Sequence, residues 1–231
     1  MRDSRPIPTG NPVHDVYEGL KEEIFGFRLL PGDRFRESQV AERFAAPRPA
    51  VKDALRRLER EGFLHAHPRA GWALRPFDFD RFEQLYELRL LLELAAVQRL
   101  CDAPLGVDLT PLTQIWLVPA EERVMDGRQM AALDEAFHQA LVRASGNAEM
   151  ATVHEEVQAK IRILRRLDFC SPARIHTAYD EHGELLRLLL QRKAPQAAIL
   201  LRGHVDTSMA EVRKLALHKL ASARREQAHN A

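Results

Sequence analysis

The hydrophobic period of the chain changes at Gly62, and no other feature restricts its fold as much. Ahead of that point Val51, Ala54, Leu55 and Leu58 recur at i, i+3, i+4 and i+7 within residues 49–62, the stripe of a core-facing helix. Beyond it, residues 63–67 and 71–75 are short β-prone runs on either side of Pro68, Arg69 and Ala70, the pattern of a two-stranded hairpin. Upstream, residues 13–25 read as a helix that buries Val16, Leu20 and Ile24, and Leu30-Pro31-Gly32-Asp33 is a turn with Pro and Gly in type II order. Residues 37–44 form a short second helix, joined through residues 45–49 to the helix of residues 49–62. Two helices so connected make a helix-turn-helix, and the hairpin behind them makes it a winged helix.

Surface charge bears on what such a module meets. Arg48, Lys52, Arg56, Arg57 and Arg60 outnumber Asp53 and Glu59, and a basic helix behind a turn suits a DNA major groove. A solvated helix face has the same composition. At the hairpin tip stand His67, Arg69 and Gly71, where a small residue lets the backbone approach phosphate or enter a minor groove; an ordinary charged turn is the alternative. The net charge of +1 divides unevenly. Residues 1–76 hold 14 Lys and Arg against 11 Asp and Glu, while the remainder holds 20 against 22, the sign expected of a DNA-binding half joined to a near-neutral one.

Two cysteines, Cys101 and Cys170, stand far apart without a CxxC pattern, so neither a disulfide framework nor a cysteine metal site is indicated. No apolar run follows the first charges, and none approaches membrane-spanning length, so a cytoplasmic protein with no membrane partner is expected. The expected division is a disordered arm over residues 1–12, the winged helix over 13–76, an all-helical domain over 77–221 and a flexible tail over 222–231.

From residue 80 onward helical periodicity persists. Helices are expected at 80–101, 109–126, 130–145, 149–167, 174–192 and 195–221, broken by Gly, Pro, Ser and Asn turn chemistry. The fold class is therefore mainly α: a winged helix-turn-helix followed by a six-helix antiparallel bundle. Inside these helices polar residues occupy apolar stripes. Asp134 and His138 interrupt the stripe of Met130, Leu133, Phe137 and Leu141, and lie four apart on one face. His182 lies on the stripe of Ile175, Ala178, Leu185 and Leu189, and His204 continues Ala197, Leu200 and Leu201. A lone inward histidine is ordinarily a hydrogen-bonded core residue. Three with an aspartate, projecting from facing helices, are also how bundles build metal sites, and three nitrogens with one oxygen suit zinc, nickel, iron or manganese. Periodicity leaves both readings open.

The motifs VYEGLKEEIFGFRLLPGDRF, ESQVAERF, RPAVKDALRRLEREG and HPRAGWAL resemble the DNA-binding domain of the GntR family of bacterial transcription regulators. The resemblance implies base and phosphate contacts from Arg48 and Lys52, and Arg56, Ser38, Arg69 and Gly71 are the further DNA-binding candidates. It also shows departures. Ala45-Ala46-Pro47 stands where the family has Gly-Val-Ser, Ala50 where it has proline, and Ser38 where many members have arginine.

The later helices are similar to the FCD ligand-binding domain of the FadR branch of that family, whose metal-binding members use Asp-x3-His and two later histidines. Asp134, His138, His182 and His204 match this pattern, which implies a divalent transition metal, zinc first and nickel, iron or manganese as alternatives. The seven other histidines, His154 among them, are read as surface or packing residues. Within LYELRLLLE, Arg89 lies inward and needs an anion: Glu93 one turn on, or, the reading taken, the carboxylate of a small effector. Asn147 is a second effector candidate and also a candidate helix cap. The whole reads as a homodimeric regulator, a repressor by default and not an enzyme, that binds a roughly palindromic double-stranded operator under control of a small carboxylate. A metal-dependent hydrolase and a metal-stabilised dimerisation module without effector are the alternatives.

Overall fold

The structure, a computed structural model, describes residues 10–68, 70–103, 107–165 and 167–229. It divides into two compact units, one comprising Met1–Asp78 with Leu217–Ala231 and the other Phe79–Ala216.

The first unit opens with α1 (Pro12–Phe25), whose start is set by Asn11: its side-chain oxygen accepts from the Val13 and His14 amides at 3.1 and 3.3 Å. The expected arm of residues 1–12 therefore ends in a cap, and residues 1–9 lie outside the described residues. Then come β1 (Arg34–Phe35), α2 (Glu37–Phe44), α3 (Arg48–Arg60), β2 (Leu64–His67) and β3 (Gly71–Leu74). α3 buries Ala50, Val51, Ala54, Leu55 and Leu58 against α1, which contributes Val16, Tyr17, Leu20 and Ile24. The far end of α3 is pinned as well. The Tyr17 hydroxyl donates to both Glu61 carboxylate oxygens at 2.7–2.8 Å, and the Arg57 guanidinium lies 3.7 Å from the Tyr17 ring centroid.

The hairpin is part of a three-stranded antiparallel sheet in the order β1-β3-β2, with Phe35 opposite Trp72 and His67 opposite Gly71. The extra strand, β1, leaves no mark in the sequence because two residues are too few to show a period. It also changes the reason for Gly71. This residue has φ +85°, and a Cβ there would lie 2.4 Å from the Phe35 carbonyl oxygen, so the glycine admits β1 to the sheet.

The second unit is helical: α4 (Phe79–Asp102), α5 (Thr110–Trp116), a 3-10 turn (Ala120–Glu122), α6 (Gly127–Ala144), α7 (Ala148–Arg165), α8 (Pro172–Leu190) and the first part of α9 (Ala194–His229). The helix expected over 109–126 stops after Trp116 because Pro119 has no amide hydrogen to give and disfavours helical backbone in the residue before it. The expected flexible tail of 222–231 is helical through His229. α4, α6 and α7 pack on one another, α8 closes on α4 and α6, and their inward faces bury Phe82, Tyr86, Phe137, Leu141, Ile161, Tyr179 and Leu186. Among the described residues, no helix is long and apolar enough to cross a membrane.

Two backbone positions give opposite expectations. Ala45 ends α2 with φ +48°, a conformation a Cβ disfavours, so Ala45→Gly is expected to stabilise the protein by about 0.5–1 kcal/mol. Gly71→Ala meets both the positive φ and the Phe35 carbonyl and should cost about 2–3 kcal/mol. Chemical denaturation of the full chain with far-ultraviolet circular dichroism reads both.

Candidate metal centre and nucleic-acid interface

Asp134 and His138 leave α6 four residues apart and therefore from one face; His182 comes from α8 and His204 from α9. One donor atom from each lies within 4.8 Å of every other. Around Asp134 Oδ1 stand His182 Nε2 at 3.4 Å, His138 Nε2 at 3.6 Å and His204 Nε2 at 3.9 Å, and the His182 and His204 Nε2 atoms are 3.3 Å apart. All four residues are buried. Asp134 Oδ1 and His138 Nε2 have no hydrogen-bond partner, and buried polar atoms are rarely left so. A single cation among them would satisfy both.

The surroundings aim these donors. Glu93 Oε2 accepts from His138 Nδ1 at 2.8 Å and Glu181 Oε2 from His204 Nδ1 at 2.7 Å, which fixes the tautomers and turns each Nε2 lone pair inward. Asp134 Oδ2 is held by Arg165, leaving Oδ1 to the centre. His182 is oriented by packing: it stacks on Phe137 with centroids 3.9 Å apart and meets Trp116 edge-on at 4.2 Å.

The charges favour neutral imidazoles, the form that ligates. Burial lowers the His204 pKa to about 4 against the opposing pull of Glu181. Burial, then the neighbouring His204 and His138, carry His182 well below the usual histidine range, and burial likewise lowers His138 despite Glu93.

Glu93 is the hub of this arrangement. Its carboxylate accepts from Arg89 Nε at 2.7 Å and His154 Nε2 at 2.9 Å as well as from His138. Burial pushes its pKa up, but Arg89 and His138 outweigh that and hold it well below the carboxylate range. His154, expected to be a surface or packing residue, is a fully buried member of this network. The signal is present: Ala151, His154, Gln158, Ile161 and Arg165 form a helical stripe interrupted by polar groups, like those that carry Asp134, His138, His182 and His204.

Arg89 reaches Glu93 through Nε, and both terminal nitrogens are buried without a partner among the described residues. Of the two roles open to Asn147, effector contact and helix cap, its contacts are those of the cap. Its Oδ1 accepts from the Met150 amide at 3.1 Å and caps α7, because the preceding Ser-Gly turn delivers it to the helix start.

In the first unit Arg48, Lys52 and Arg56 project into solvent from α3, and Ser38 is exposed on the first turn of α2. None of the three α3 cations has an ion-pair partner among the described residues, whereas Arg57 is committed to Glu61 and Tyr17. α3 starts at Pro47, which offers no side-chain cap, so the hydroxyl missing from Ala45-Ala46-Pro47 is missing from the helix start too. Gly71 is spent on the sheet, and Arg69 lies outside the described residues.

Comparison with known proteins assigns both units. Residues 12–74 match the model of the bacterial regulatory proteins of the gntR family, and residues 84–207 match that of the FCD domain. The chain is similar to the Nta operon transcriptional regulator of Aminobacter aminovorans, 28% identical over 80% of this chain and 87% of that protein. It is 30% identical, over 59% of this chain and 82% of the relative, to an HTH-type transcriptional regulator from the TAR-I ttuE-ttuC' intergenic region of Agrobacterium vitis. Its fold is that of a putative GntR transcriptional regulator from Rhodococcus sp. RHA1, with TM-score 0.65, 20% identity, and coverage of 87% of this chain and 97% of that one.

Replacing Glu93 or Glu181 by Gln keeps the shape but weakens the acceptor behind His138 or His204, each a candidate metal ligand. Each should lower metal affinity about 10–100-fold, read by competition with a chromophoric chelator.

Proposed function

The chain belongs to the GntR family of bacterial regulatory proteins and carries an FCD domain, and on that premise we propose that it is a metal-dependent, ligand-responsive repressor. It is a DNA-binding transcription regulator and not an enzyme, as are the relatives it matches, so the metal-hydrolase alternative falls away. The observation that carries the finer reading is the convergence of Asp134, His138, His182 and His204 with two buried donor atoms unpartnered.

In this reading those four residues hold a divalent transition metal, zinc first among the candidates, and leave part of its coordination sphere to an effector. The bound cation supplies a Lewis-acidic anchor for an oxygen ligand. Arg89 holds the carboxylate end, since its Nη1 and Nη2 have no acceptor among the described residues. Two copies of the chain place two α3 helices on a roughly palindromic operator. Arg48, Lys52 and Arg56 make the contacts, the first by a bidentate fork suited to guanine or phosphate. The effector acts by binding one arrangement of the dimer better than another.

Elemental analysis of protein purified without chelator tests the metal. We expect about one equivalent per chain, lost in His138→Ala, and a metal-free protein with unaltered thermal stability and operator affinity refutes the site. For DNA, an operator selected from random duplexes is titrated by fluorescence anisotropy. Arg48→Ala and Lys52→Ala are each expected to weaken binding about tenfold, with a shallower salt dependence; unchanged affinity in both removes α3 as the reading element.

A further inference from the structure

The outward face of the three-stranded sheet carries cations for which the fold of the unit has no use. Side chains alternate along a strand and directly opposed residues share a face, so the register assigns each residue its side. Phe35, Trp72, Leu74 and Leu64 turn inward and are buried. Arg34, Ala73 and His65 form one row across the other face. Arg36 follows β1 in extended backbone, with φ −102° and ψ 153°, and so shares the face of Arg34. The second row is Arg36, Gly71 and His67: His67 stands opposite Gly71, and a Cβ on Gly71 would lie 3.5 Å from the Arg36 Cα. The His65 and His67 rings meet edge to face with centroids 4.7 Å apart, as neighbours on one face do.

Each row thus has a nitrogen-bearing side chain at both ends and a small residue in the middle. The outer strands stand about 10 Å apart and the rows about 7 Å apart, so the face is a shallow trough with glycine and alanine for a floor and N–H donors along both walls. Arg34 and Arg36 are exposed and have no ion-pair partner among the described residues. Each imidazole presents a ring N–H in either tautomer. The carboxylates bordering the sheet are engaged elsewhere. Asp33 Oδ2 accepts from the Leu30 amide at 2.8 Å, Glu37 Oε1 from the Trp72 indole at 3.2 Å and Glu59 Oε1 from the Ala66 amide at 3.2 Å.

A trough with donors on both walls and no internal counterion calls for an extended, repeating anion. A phosphodiester strand is one, its consecutive phosphates spaced much as the rows are, and DNA is what this unit binds. The trough also adjoins the surface already assigned to DNA, since Arg36 is two residues from the exposed Ser38 in the first turn of α2. We propose that the outward face of the sheet is a second DNA surface, separate from α3, on which Arg34 and Arg36 hold phosphates of one strand and His65 and His67 donate from the opposite wall. This rests on the chain being a DNA-binding regulator and is independent of the roles given to Arg48 and Lys52. Phosphate contacts position a protein and carry no sequence information, so this surface adds affinity for every duplex alike.

The full-length protein is titrated by fluorescence anisotropy against the selected operator and against a random duplex over a range of salt concentrations. Arg34→Gln and Arg36→Gln should each weaken binding to both duplexes about tenfold at about 0.1 M salt and lower the slope of log affinity against log salt by about one, with the operator-to-random ratio unchanged. Arg36→Lys keeps a point charge for phosphate and should recover most of the affinity. His67→Ala should weaken both duplexes about threefold. A loss confined to the operator overturns the phosphate assignment, because it makes these residues readers of sequence. Reduced affinity with a wild-type salt slope also overturns it, being the mark of a folding defect. Wild-type affinity and slope in both glutamine variants remove the sheet face as a DNA surface, while Arg48→Ala and Lys52→Ala judge α3 separately.

Discussion

Glu93 is the buried charge on which the helical unit depends. A carboxylate removed from water is tolerated only when donors replace the lost solvent, and here they arrive from three helices: Arg89 on its own, His138 on α6 and His154 on α7. The same contacts set the geometry of the centre. Because His138 Nδ1 donates its hydrogen to Glu93, the Nε2 lone pair of that ring points the other way, toward Asp134, His182 and His204. An ion that looks like a cost to folding is what orients His138 within the cluster. Glu181 repeats the arrangement for His204 and is itself held by Arg174.

The DNA-binding unit is organised by the opposite rule, with cations left free. Tyr17, Glu61 and Arg57 lock the end of α3 to α1, and the apolar stripe fixes the rotation of the helix. What remains exposed is the row of Arg48, Lys52 and Arg56 without acidic partners. The departures from the family pattern have physical counterparts: Ala45 occupies a left-handed position without glycine, and Pro47 opens α3 without a cap. Both weaken the turn between the helices, where the family ordinarily uses glycine and serine.

Much of this was legible because a polar residue on an apolar stripe is conspicuous in one dimension. Asp134, His138, His182 and His204 announced themselves that way, and their matching to the FCD pattern named them as a set. The stripe of His154, Gln158 and Arg165 carries the same kind of signal but matches no motif. The two-residue β1 and the stop before Pro119 were hidden for local reasons, one too short to have a period and the other a break inside a favourable run. Arg89 shows the limit most directly. Its inward position and its need for an anion were readable, yet Nε is given to Glu93 and both Nη atoms are not, a division that no spacing encodes.

By itself the sequence determined which face of each helix turns inward, where the winged helix yields to the helical domain, and which residue types lie on each. Those properties are periodic and local, and the chain repeats them every few residues. Only the tertiary structure decided which inward groups meet. It brought Asp134 Oδ1 and three Nε2 atoms to one point, made Glu93 the shared acceptor and sent Asn147 to a helix cap. It also decided that Gly71 serves β1. The physical reason is that a hydrogen bond or a ligand atom is specified to a fraction of an ångström by the packing of several helices, whereas hydrophobic periodicity specifies only a direction.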